Sequence, residues 1–255
     1  MSLQRIPVPT DNNHLYSAFT LALLLPLSGD SEDDSNEIDL RMTQLFGQLN
    51  YKKIETLFKQ LRTFSQDNYP SSLVDLIHTN LRKRCAEHIR KTMLEETNFV
   101  DIFEASSKEH LAAAITDIEN DGALFDDIVI ITLSRMCKVS IESYDQFQRI
   151  TKRTVVNTNH LNTNQKTISL ILVNGHYQFL LAPELIPNQI FINLFPFINV
   201  SSKLSLDNVK KNLILSHVNK VLTPSTANLA GIASHVPRQS VIPDVYSTRP
   251  TDMND

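Results

Sequence analysis

The feature that most constrains this chain is a change of period near residue 138. Up to Cys137 the apolar residues recur every three to four positions, and from Val139 they gather into short runs rich in β-branched and aromatic residues. The first pattern gives a helix one buried stripe, and the second gives a strand a buried face. A helical portion followed by strands predicts an α/β protein of the α+β kind, in which helices pack on a small, mostly antiparallel sheet.

The helical portion divides at its breakers. Residues 1–13 read as an extended lead-in, because Pro7 and Pro9 discourage a helix. From His14 the positions 15, 18, 19, 22 and 23 lie at helical spacing until Pro26 stops the run. Residues 28–37 are acidic and serine-rich, the composition of an exposed loop. Residues 38–49 carry Leu40, Leu45 and Leu49 on one stripe, and residues 51–64 carry Ile54, Leu57, Phe58 and Leu61. A long helix is expected from Ser71 or Ser72 to about Met93, with Leu73, Leu76, Ile77, Leu81, Cys85 and Ile89 buried. Residues 106–120 and 126–137 complete the helices.

Strands are expected at 139–144, 154–156, 167–173 and 177–181. Asn174-Gly175-His176 between the last two is a tight hairpin turn. Residues 157–165 read as an asparagine-rich loop, and 189–200 as one more strand or an extended packed segment. These spans predict one domain over 1–200 with a helical insertion at about 28–70. A closing helix follows within 201–222, and 223–255 is a flexible tail or linker.

Composition excludes several classes. Two cysteines, Cys85 and Cys137, make neither a disulfide scaffold nor a four-cysteine zinc site, and they fit a reducing, cytoplasmic compartment. A net charge of -4 argues against nucleic acid as the partner. The apolar run 15–27 falls short of the ~20 residues that span a bilayer, so it reads as a buried helix and not as a membrane anchor.

Three segments stand in an order that carries chemistry. Asp11-Asn12-Asn13-His14-Leu15-Tyr16 enters the first buried helix. Leu133-Ser134-Arg135 leads into the strand Val139–Tyr144, and Asn174, His176 and Tyr177 lie at the hairpin. Over roughly residues 8–183 this order resembles the ovarian-tumour (OTU) family of deubiquitinating cysteine proteases. The helical insertion and the nucleophile loop so near residue 1 are similar to the branch secreted as effectors by intracellular bacteria, which would act in a host cell's cytoplasm. The family opens its first helix on Asp-Gly-Asn-Cys-Leu-Phe/Tyr and places its general base in an Asn-x-His hairpin.

The resemblance implies a papain-like OTU fold, with ubiquitin or a ubiquitinated protein as partner and the insertion in the docking lobe. It places His176 as the base and His14 at the nucleophile position. Asn12 and Asn13 fall in the oxyanion loop, Asp11 or Gln178 orients the base, and Tyr177 contacts substrate. Hydrolysis by this family needs a thiolate at a helix N-terminus, and here that position holds a histidine. Asn12 also replaces the family's glycine, and Gln178 its Asn or Asp. The expectation is therefore a catalytically impaired, ubiquitin-recognising relative. An active isopeptidase and a scaffold unrelated to ubiquitin are the alternatives. No cofactor is expected: His14, His176 and Asp11 are a reasonable metal-ligand set, but nothing in their spacing requires a metal.

Overall fold

A computed structural model describes residues 3–28, 35–65, 67–122, 124–147, 149–154 and 166–194. Among these residues, eight of the helices precede four of the five strands, as the change of period requires. A short strand β1 (Gln4–Ile6) precedes the central helix α1 (His14–Leu24), which ends in a 3-10 turn at Leu25–Leu27. Then come α2 (Ser35–Phe46), α3 (Tyr51–Arg62), α4 (Ser71–Leu76), a π-helical turn (Ile77–Leu81) and α5 (Arg82–Glu95). The short α6 (Phe99–Ile102), α7 (Lys108–Glu119) and α8 (Asp126–Cys137) complete the helical layer. The sheet follows as β2 (Ser140–Tyr144), β3 (Ile150–Thr154), β4 (Thr167–Val173) and β5 (His176–Leu181), and α9 (Asn188–Leu194) comes last.

The five strands run in the order β1-β5-β4-β2-β3. Three neighbouring pairs are antiparallel, and β2 with β4 is the parallel one. Asn174 and Gly175 both take positive φ, at 52° and 81°, as a two-residue turn of the primed type requires. No atom lies within 4 Å of where a Cβ on Gly175 would stand, so it is the backbone angle that calls for glycine. β1 is the strand the prolines concealed: it lies on β5 with Gln4 opposite Leu181 and Ile6 opposite Phe179. That pairing draws the lead-in to α1 alongside the hairpin.

Every residue of α1 is buried, so this helix is the core of the domain rather than a surface element. One side lies on β5 and β4, and α2 and the π turn cover it elsewhere. Arg41 of α2 is itself nearly buried and donates to the Cys137 carbonyl at 2.6 Å, tying α2 to the end of α8. The insertion helices turn Met42, Leu45, Phe46, Leu57, Phe58 and Leu61 into the common core. Leu40, expected on that buried stripe, is 48% exposed.

Several sequence expectations are refined. The long helix expected from 71 to about 93 is present as one continuous segment, Ser71 to Glu95, with a π turn at Ile77–Leu81 where one extra residue is accommodated. β3 at Ile150–Thr154 meets the strand expected at 154–156 at Thr154, residues 155 and 156 lying outside the described residues, and Ser35 rather than Ile38 opens α2. Residues 188–194 form α9 instead of a strand, with Ile190, Phe191 and Leu194 buried at helical spacing. The loop 157–165, the closing helix within 201–222 and the tail 223–255 lie outside the described residues. Among the described residues no helix is long and apolar enough to cross a membrane.

Candidate functional site: an imidazole pair at the start of α1

His14 is the first residue of α1 and is 5% exposed. It lies beside the hairpin because β1 and α1 both lie along β5. Its ring meets that of His176 edge to face, with centroids 5.1 Å apart and planes at 89°. On its other side it stacks with Tyr177, at 5.9 Å and 26°.

The sheet register explains the third contact. β1 stops at Ile6, opposite Phe179, so it leaves the backbone of Tyr177 unpaired on that side. His14 fills the vacancy: its Nδ1 accepts from the Tyr177 N–H at 3.1 Å. A ring nitrogen that accepts carries no proton, so His14 is a neutral imidazole protonated on Nε2. Burial lowers its pKa, the neighbouring His176 lowers it further, and Asp11 opposes both.

The loop before α1 is folded on itself and clamped from behind. Asp11 accepts twice, its carboxylate from the Asn13 N–H at 2.9 Å and its carbonyl from the His14 N–H at 3.1 Å. Asn13 is the N-cap residue, yet its side chain makes no cap bond. Its Oδ1 takes Arg82 at 2.8 Å, and its Nδ2 is 2.9 Å from Nε2 of His78. His78 turns Nδ1 to Asp121 at 3.1 Å. The Arg82 guanidinium, 1% exposed, also donates to the carbonyls of Ile118 and Gly122, pairs with Asp121 at 3.2 Å and lies over the ring of Tyr16. Gly122 is required by close approach: a Cβ there would stand 1.9 Å from Oδ1 of Asp117, whose other oxygen receives the Leu124 N–H.

The structure thus brings together His14, His176, Tyr177, Asp11 and Asn13 from the sequence-selected set. Asn12 is exposed, and its carbonyl faces Arg82 at 3.5 Å. Gln178 shares a face of β5 with His176 by strand alternation. However, Nδ1 of His176 and Oε1 of Gln178 are each buried without a hydrogen-bond partner among the described residues. Neither Gln178 nor Asp11 hydrogen-bonds His176, so the orienting role that the resemblance implied for them has no bond behind it. Among the described residues, no group of three or more His, Cys, Asp or Glu is placed to hold a metal ion.

His78 and Arg82 were not singled out from sequence, and no role was read there for Asp121. A signal for one of them existed: residues 82, 85, 86 and 89 lie at i, i+3, i+4 and i+7, which puts Arg82 on the buried stripe of α5. A cation on a buried stripe needs partners, and its partners are those of this loop. His78 and Asp121 gave no such signal, because the π turn that aims His78 is not written in any periodicity.

Cys85 and Cys137 are free and buried, as their places on apolar stripes led one to expect. Burial pushes both thiols up, that of Cys137 to about 12. Neither is a nucleophile in this structure.

No protein-family model matches the chain, and no curated protein matches it. The fold and site define a mixed α+β protein with a paired, largely buried imidazole centre at the head of its central helix.

Proposed function

We propose that this protein is a non-hydrolytic relative of the OTU deubiquitinases that binds ubiquitin or a ubiquitinated protein. The single observation that carries the reading is the contact between His14 and His176. Two residues 162 positions apart in sequence, selected as nucleophile and base positions, have their rings 5.1 Å apart at a helix start. A papain-like centre needs that convergence of helix start and hairpin.

The chemistry of the pair supports binding without turnover. A neutral imidazole has one basic lone pair, and in His14 that lone pair accepts the Tyr177 N–H. Attack on a carbonyl would require breaking this bond inside a site where nothing replaces it. Protonation of His14 by His176 is equally opposed, because burial and the second imidazole both favour the neutral ring. The pair therefore closes the site where a thiolate would open it. A cytoplasmic setting suits this role, and for a secreted effector the host cytoplasm.

Titration of 15N-labelled mono-ubiquitin with the protein tests the reading. Shifts confined to one face of ubiquitin, with no cleavage of di-ubiquitin on long incubation, are expected. Cleavage that disappears in His176→Ala would make the protein an active isopeptidase. An unperturbed spectrum at millimolar protein would leave a fold used for a different contact.

A further inference from the structure

We infer that His78 and Arg82 are positioning residues that hold the Asn13 side chain in one orientation, and that they do so only while His78 is neutral and protonated on Nδ1. The inference concerns the loop that starts α1 and stands whether or not the site recognises ubiquitin.

The bond pattern leaves one assignment. Arg82 has only donors, so the atom of Asn13 that faces it at 2.8 Å is the carbonyl oxygen Oδ1. The amide nitrogen Nδ2 must then face Nε2 of His78, at 2.9 Å. An amide nitrogen only donates, so Nε2 must accept, and the ring proton sits on Nδ1, where the Asp121 carboxylate takes it at 3.1 Å. The π turn at Ile77–Leu81 makes this possible. It spans the interval between His78 and Arg82 and allows two side chains of one continuous helical segment to grip the same amide from two sides.

Protonation of His78 breaks the arrangement. The imidazolium carries a proton on Nε2, which would confront the Nδ2 protons of Asn13. Turning the amide over relieves that clash only by aiming Nδ2 at the Arg82 guanidinium, again donor against donor. One of the two side-chain bonds to Asn13 is therefore lost in either orientation, which loosens the loop 11–13. Asp121, on the loop after α7, is the charged group paired with His78, and it also pairs with Arg82 of α5. Asp11 lies on the Asn13 loop itself, with its carboxylate engaged by the Asn13 N–H. Because Asn13 precedes His14 directly, the clamp sets how α1 presents its first turn to the hairpin.

The test joins two NMR readouts on the full chain between pH 5 and 8. Long-range 1H–15N correlation reports the His78 tautomer, and amide hydrogen exchange, corrected for its intrinsic pH dependence, reports protection of Asn13–Tyr16. The neutral ring is expected as the Nδ1–H tautomer. Protection of these amides should fall about tenfold where His78 is protonated, the loss of one hydrogen bond of about 1.4 kcal/mol. His78→Gln, whose amide oxygen accepts but does not titrate, should keep protection at both ends of the range, and His78→Ala should lack it throughout. Arg82→Lys, which retains the charge but not the fork, should lower protection independently of pH. The Nε2–H tautomer, or protection that is the same with the wild-type His78 ring neutral and protonated, would overturn the inference.

Discussion

Nδ1 of His14 accepts the backbone N–H of Tyr177 at 3.1 Å, so the side chain at the head of α1 completes the hydrogen bonding of strand β5. That one bond makes the residue structural as well as central to the site. It also sets its protonation state. His14→Ala should leave a buried N–H unpaired and a ring-sized void, at a cost of about 2–4 kcal/mol. The shift of the urea midpoint measures it, and a loss below 0.5 kcal/mol (roughly the scatter of surface substitutions) would mean that the bond carries no weight.

The same residue has a pH signature. Burial first and His176 second lower the His14 pKa from its ordinary 6.5. A base whose folded value is depressed binds fewer protons folded than unfolded across that interval, so stability rises with pH there. Its contribution is complete above about 6.5 and is lost as the pH falls through the folded value. Unfolding free energies at pH 7.5 and 5.0 should show this loss, and His14→Gln should flatten it. An equal slope in the variant would assign the loss elsewhere.

Asp126 behaves in the opposite sense. Burial, then Asp127 and Asp117, push its carboxyl from an ordinary 3.8 to about 6, against the pull of Arg82. An acid with a raised folded value stabilises the fold below its unfolded value, and that stability is lost as the pH rises through about 6. Asp126→Asn should therefore gain about 1–2 kcal/mol at pH 7.5 and nothing at pH 3.5. Thermal melts at the two pH values decide it, and a destabilised variant at pH 7.5 would mean that its place in the first turn of α8 matters more than its desolvation.

Much of this architecture was legible because it is local. The apolar spacing of α1 and α8, the Asn174-Gly175 turn and the burial of Cys85 and Cys137 all follow from patterns within about ten residues of sequence. The convergence of His14 and His176 became legible only through a motif order. Short-range signals failed where tertiary pairing decides. Gln4–Ile6 is a strand only because β5 offers it an edge, and Pro7 marks its end rather than its absence. The apolar residues of α9 suit either a strand or a helix, and a short run of that kind is ambiguous on its own. The Asn13 clamp was hidden because it joins three segments and depends on a π turn.

Arg82 is the least replaceable residue of that clamp. It is buried among carbonyls, Asn13, Asp121 and the Tyr16 ring, in directions that only a planar fork can serve. Arg82→Met should cost about 3–5 kcal/mol, because it leaves these acceptors without a donor. Chemical denaturation measures it, and a neutral result would show that water replaces the guanidinium.

The central claim is that the centre is a cysteine-protease site closed by a histidine. His14→Cys, treated with a ubiquitin bearing a thiol-reactive C-terminus, tests it most directly. Cys85 and Cys137 are buried with raised thiol pKa values and should stay unmodified, so any adduct reports position 14. The account predicts one covalent ubiquitin adduct in His14→Cys, none in the wild type, and its loss on adding His176→Ala. A folded His14→Cys protein that forms no adduct, although small thiol reagents label it at position 14, would contradict the account.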